Sequence, residues 1–186
     1  KPTTLIRNHY LQMAYVVQTQ DRNFLVLTSG MLNLFENRPD ELRFIIGREL
    51  GHLKCDHVRI KRAAFGILSA INSINLSVVP TDFQVALPTL ALGRLFNWAR
   101  ESEISADRAG LLCCQDPQIA YQALTRLLHG LSADSTWIDP NHPDFDADKI
   151  CRDFQQWQNE PFVKFVSYLQ KFSLESPFIP ERLASL

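Results

Sequence analysis

Two pairs of polar residues, each pair four positions apart, constrain this chain more than any other feature. Arg48 and His52 bracket Glu49 in "RELGH", and Glu103 and Asp107 repeat the spacing in "ESEISAD". On a helix of 3.6 residues per turn, positions four apart are offset by only about 40°, so each pair shares a face. The surroundings are helical in pattern. Leu42, Ile45, Ile46, Leu50 and Leu53 recur at helical spacing in the first segment, and "LALGRLFNWARESEISADRAGLLCCQ" carries the second. If the polar residues act together, the two helices must set those faces opposite each other.

The rest of the chain reads as support for such a pair. With 186 residues, 46% of them hydrophobic, the chain is long enough to bury a core as one domain, residues 1–186, without disulfides. It opens Lys1-Pro2 without Met, which marks it as a fragment of a longer chain or a processed form. A net charge of −1 gives no electrostatic footprint for nucleic acid. Cys55, Cys113, Cys114 and Cys151 show no Cys-x-x-Cys spacing and read as small hydrophobes in a reducing compartment, cytoplasmic or membrane-associated.

Tyr15–Thr19 and Phe24–Thr28 are β-branched and aromatic runs around a polar turn, which predicts a small hairpin. A short helix follows from Met31. Pro39, Asp40 and Glu41 mark the start of the helix that carries "RELGH", predicted over about 39–58. A further helix covers Pro117–His129, closed by Gly130. Residues 132–148 form an acidic loop without the spacing of a calcium loop, and two helices near 146–158 and 161–173 precede the tail. Residues 63–96 are apolar but repeatedly interrupted by Ser, Asn, Pro and Arg. They fall short of a spanning helix and suit the domain core or peripheral contact with a membrane. The fold class is therefore α+β, mostly helical, with a small sheet.

The chemistry turns on position 48. A histidine there would complete His-Glu-x-x-His, in which two imidazoles meet one zinc ion and Glu49 polarises a zinc-bound water. Catalytic zinc takes three protein ligands plus that water, and Glu103 supplies the third, oriented by Asp107 one turn later. Arginine breaks this set, because its guanidinium stays charged and has no lone pair for a metal.

Here the residues resemble a known family. "VLTSGMLNLFENRPDELRFIIGRELGHLKCDH" and "ESEISADRAGLL" are similar to the strand, turn and active-site helices of the HtpX-type and CAAX-prenyl-protease-type gluzincin metallopeptidases. "GHLKCDH" and "DRAGLLCCQD" look closest to the cyanobacterial and plastid branch. The resemblance implies a minimal gluzincin domain with an active-site helix pair. It maps the catalytic carboxylate to Glu49, the metal ligands to His52 and Glu103, and the outer carboxylate to Asp107. In the tail "SPFIPER", Ser176 stands where the family has a histidine, while Arg182 is retained.

The departures from the family pattern divide the functional expectation. In one reading, zinc binding and hydrolysis are lost or strongly reduced and a peptide-binding groove is kept, with Arg48 standing in for the cation by pairing with Asp107 or Glu103. In the other, the chain is an active zinc-dependent endopeptidase with Glu49 as general base and an altered ligand set. His57, five residues beyond His52, would face away on a continuous helix and so is not expected to replace the ligand. His142 in the acidic loop is a remote candidate. Leu25, Val26 and Leu27 are expected to form an edge strand against which an extended peptide or protein ligand pairs its backbone.

Overall fold

The computed structural model describes residues 1–73, 81–129, 152, 156, 182 and 184–186. Among them lie three strands, β1 (Thr3–Arg7), β2 (Ala14–Gln18) and β3 (Asn23–Thr28), and five helices. These are α1 (Ser29–Leu34), α2 (Pro39–Lys54), α3 (His57–Ser73), α4 (Thr81–Cys114) and α5 (Pro117–His129). The architecture is α+β and mostly helical, as expected. The loop at 132–148, the two helices beyond it apart from residues 152 and 156, Cys151, His142 and Ser176 lie outside the described residues.

The hairpin forms where the alternating runs predict it, with Tyr15 opposite Val26 and Val17 opposite Phe24 in antiparallel register. The edge assignment is corrected. β3 is the middle strand of the order β1-β3-β2, so Leu25, Val26 and Leu27 have neighbours on both sides. The added strand is β1, which pairs in parallel with β3 from Thr3 opposite Phe24 to Arg7 opposite Thr28. Among the described residues, the outer strands of the sheet are β1 and β2. Leu25 and Leu27 join Val16 in an apolar cluster that Ile46, Leu53 and Val58 pack against.

Thr28 couples the sheet to the first helix. Its hydroxyl caps α1 by accepting from the Met31 amide at 3.2 Å, and it donates to the Leu11 carbonyl at 2.6 Å. Capping of this kind satisfies an amide that a helix start otherwise leaves unpaired. α2 opens with Pro39 in the first turn and has Asp40 and Glu41 there, but no side-chain cap.

The predicted 39–58 helix is two helices. Asp56 takes a left-handed backbone, φ 54°, which stops α2 at Lys54 and lets α3 begin at His57. Aspartate adopts this conformation more readily than most residues. Its carboxylate also accepts from Gln18 Nε2 at 3.0 Å, tying the break to β2. α4 starts at Thr81, ahead of Pro88 where the sequence reading begins it. Cys55 and Cys113 are exposed and free, rather than buried as small hydrophobes. Among the described residues, no helix is long and apolar enough to cross a membrane.

The main core gathers Met31, Leu34, Phe35, Phe44, Ile45, Ala120, Ala123 and Leu124, joining α1, α2 and α5. The largest helix interface is α2 on α4, and small residues set its spacing. A methyl group on Gly51 would come within 2.6 Å of the Ala109 Cβ, and one on Gly47 within 2.7 Å of the Cys113 Cβ. The backbones can approach this closely because neither glycine carries a side chain. Gly51→Ala adds helix propensity worth about 1 kcal/mol, but overpacking of a tight contact costs about 1–3 kcal/mol. A net loss of up to about 2 kcal/mol in urea unfolding is therefore expected, whereas a higher midpoint would contradict the close approach.

Candidate active site

The close α2–α4 approach sets the polar faces of both helices against each other, and the predicted residues meet there. Arg48 lies at the centre. Its Nε donates to Asp107 Oδ1 at 3.0 Å, its Nη1 to Glu49 Oε1 at 2.8 Å, and its Nη2 to Glu103 Oε2. The guanidinium therefore reaches both of the carboxylates considered as partners, together with its own neighbour. Asp107 is fully buried and accepts from a second arginine, Arg182, whose Nε and Nη2 each lie 2.7 Å from a carboxylate oxygen. This bidentate pair brings the tail onto α4.

His52 Nε2 points to the same place and stands 3.8 Å from Glu103 Oε1. Its other ring nitrogen, Nδ1, lies 3.1 Å from His57 Nδ1. This corrects the expectation for His57. The turn at Asp56 breaks the helix and swings His57 back, so the roughly 140° offset of a continuous helix does not apply. His57 continues to Ser105 Oγ at 3.4 Å and meets Trp98 edge-on, with ring centroids 5.8 Å apart.

Electrostatics differ sharply across these few residues. Burial pushes the Glu49 carboxyl up from 4.5 to about 7, outweighing the pull of Arg48. Burial lowers His52 from 6.5 to about 4, and the Arg48 charge adds to the effect, so the ring is neutral at pH 7. For Glu103, burial acts upward, but Arg48, His52 and Arg182 together bring the carboxyl below its ordinary value. Burial would lower Arg48, yet the three carboxylates around it raise it further. At neutral pH the centre thus holds two fixed cations, Arg48 and Arg182, beside acidic groups of which Glu49 is only partly ionised. Among the described residues, no three His, Cys, Asp or Glu side chains converge on a point where a metal ion would sit.

Residues 4–186 match the family model of peptidase family M48. The chain belongs to that family. A relative from Arabidopsis thaliana, the plastoglobule-localized metallopeptidase 48, chloroplastic, is 30% identical over 130 residues, 69% of this chain. The chain spans only 36% of that relative's length. Membership accords with the metallopeptidase resemblance of the two helical motifs, and M48 metallopeptidases generally bind zinc. Two features of this M48 domain go beyond the motif. The contact of His57 with His52 is hidden in the sequence because "GHLKCDH" reads as continuous helix, and its one signal is Asp56, a residue type that tolerates a left-handed turn. The Arg182–Asp107 pair was half visible, as a retained arginine with no assigned partner.

Removing the charge of Asp107 should be severe. Asp107→Asn leaves two buried guanidinium groups short of a carboxylate, a loss of about 3–5 kcal/mol in equilibrium unfolding. A loss below about 1 kcal/mol would show that neither arginine depends on it.

The pH dependence should show two opposing slopes. Glu49 binds its proton more tightly when folded, so its contribution is present below 4.5 and lost as pH rises through about 7. His52 binds its proton less tightly when folded, so its contribution is present above 6.5 and lost as pH falls through about 4. Glu49→Gln removes only the first slope. Between the two Glu49 values the variant should gain stability relative to the parent, on the order of 1–3 kcal/mol, and the difference should level off above them. Parallel urea midpoints for the two proteins across this range would refute the burial of an ionisable Glu49.

Proposed function

We propose that this M48 domain binds extended peptides and hydrolyses them slowly or not at all, with the Arg48 guanidinium taking the place of the metal cation. The observation that carries this reading is the three-way contact of Arg48 with Glu49, Glu103 and Asp107. A His₂Glu site needs three protein ligands and an open position for water. Here His52 Nε2 and Glu103 could serve, but the third place holds a cation without a lone pair. Arg48 also engages an oxygen of Glu103 and one of Glu49, the two carboxylates that would bind metal and activate water. These residues do not fit a catalytic zinc ion. They do balance one another, since Arg48 and Arg182 offset Glu103 and Asp107 and leave Glu49 half neutral.

A peptide would be held by strand addition, in which backbone hydrogen bonds give affinity and alternate side chains give selectivity. β2 is the edge suited to this, rather than β3. It packs on α2 and α3, and Gln18 at its end donates to Asp56 and to the Leu53 carbonyl just beyond His52. Contact with a lipid surface belongs to the same proposal. Ile60 and Ile67 of α3 and Leu90 of α4 are exposed, and the Arabidopsis relative is plastoglobule-localized by name.

Arg48→His tests the central claim. The parent should bind zinc weakly and in less than one equivalent. The variant should bind about one zinc, at least 10- to 100-fold more tightly, because a neutral nitrogen replaces a competing cation. Some peptide cleavage should appear with it and vanish in Arg48→His/Glu49→Gln. If the parent already holds one tight zinc and cleaves in a Glu49-dependent way, the proposal fails in favour of an active enzyme with an altered ligand set.

A further inference from the structure

We infer that Ser105 and His57 are positioning residues that fix the ring tautomer of His52, holding the proton on Nδ1 and presenting Nε2 as a bare acceptor beside Glu103. The argument starts from hydrogen counting. The Ser105 hydroxyl has one hydrogen, and the Ser102 carbonyl lies 3.0 Å from Oγ, nearer than His57 Nε2 at 3.4 Å. Back-donation to a carbonyl one turn earlier is a common use of a helical serine hydroxyl. Ser105 Oγ therefore meets His57 as an acceptor, and His57 must carry its proton on Nε2 to make the contact.

A neutral imidazole has one N–H, so His57 Nδ1 is then an acceptor. The 3.1 Å contact between the two Nδ1 atoms needs a hydrogen, and His52 has to supply it. That leaves His52 Nε2 unprotonated, facing Glu103 Oε1 across 3.8 Å. At pH 7.5, about one unit above the ordinary imidazole value of roughly 6.5, each ring carries a single proton, so neither evades the count. Trp98, edge-on to His57, limits the ring's freedom to turn away.

The result is a slot between two acceptors that takes a hydrogen-bond donor, either water or the N–H of a bound peptide. Its use by a peptide rests on the reading proposed above; the tautomer does not. A protein ring's tautomer is usually set by the partner of its other nitrogen, which here is a second histidine on the next helix.

The test is long-range ¹H–¹⁵N correlation of the histidine rings in the full chain, treated with chelator and held near pH 7.5. His52 is expected to show a protonated Nδ1 and an unprotonated Nε2. Ser105→Ala and His57→Phe should each move His52 wholly or partly to the Nε2–H form, which free imidazole side chains favour in water. His57→Asn, whose carbonyl oxygen can stand in for Nδ1 as acceptor, should restore the Nδ1–H form. If His57→Phe does not fold, Ser105→Ala, which removes a single half-buried oxygen, decides the matter. A parent His52 in the Nε2–H form, or one whose tautomer is the same in Ser105→Ala, overturns the inference. Zinc titration of the parent reports separately on the metal question, so failure of one reading is distinguishable from failure of the other.

Discussion

A fully buried carboxylate has to be matched by positive charge, and Asp107 is matched twice. Arg48 reaches it from α2 and Arg182 from the tail, so one side chain on α4 ties three parts of the chain together. An unpaired charge at that depth would cost several kcal/mol, whereas a bidentate guanidinium satisfies both oxygens with directed bonds. The pairing depends in turn on the backbones of α2 and α4 coming close, which Gly47 and Gly51 permit. Packing and electrostatics are therefore coupled here, since a wider helix spacing would strand the same charges that the present spacing pairs.

That coupling explains why an arginine can occupy position 48. A metal ion and a guanidinium both bring positive charge to a group of carboxylates, but they make different demands. The metal needs lone pairs arranged around a point, while the guanidinium needs oxygens arranged around a plane. Glu49, Glu103 and Asp107 present oxygens to three different nitrogens of Arg48. Burial, reinforced by the nearby Arg48 charge, keeps His52 neutral, and its Nδ1 faces His57 rather than the carboxylates.

Much of this was legible in the sequence because helical spacing is a strong local rule. Residues 48, 52, 103 and 107 could be assigned to two faces from periodicity alone, and a charged residue among acids could be expected to pair with them. The hairpin was legible for the same kind of reason, through alternation of side chains. What escaped depends on distant or conformational facts. β1 contributes a short parallel strand whose five residues are all exposed, so no apolar alternation announced it, and its presence turns β3 from an edge into a middle strand. The break at Asp56 rests on one backbone angle that aspartate tolerates but does not require.

The break has consequences out of proportion to its length. Had α2 continued, His57 would lie far around the helix from His52 and no second imidazole would approach the centre. Because the chain turns at Asp56, the first residue of α3 folds back under the last turns of α2, and Gln18 of β2 fastens the turn by donating to the Asp56 carboxylate. β2, the turn and the histidine pair thus form one connected unit. The same Gln18 contact therefore links β2 to the segment that places His57 against His52. The edge proposed to hold a peptide and the ring proposed to receive its N–H are then joined by bonded contacts across a single turn of chain.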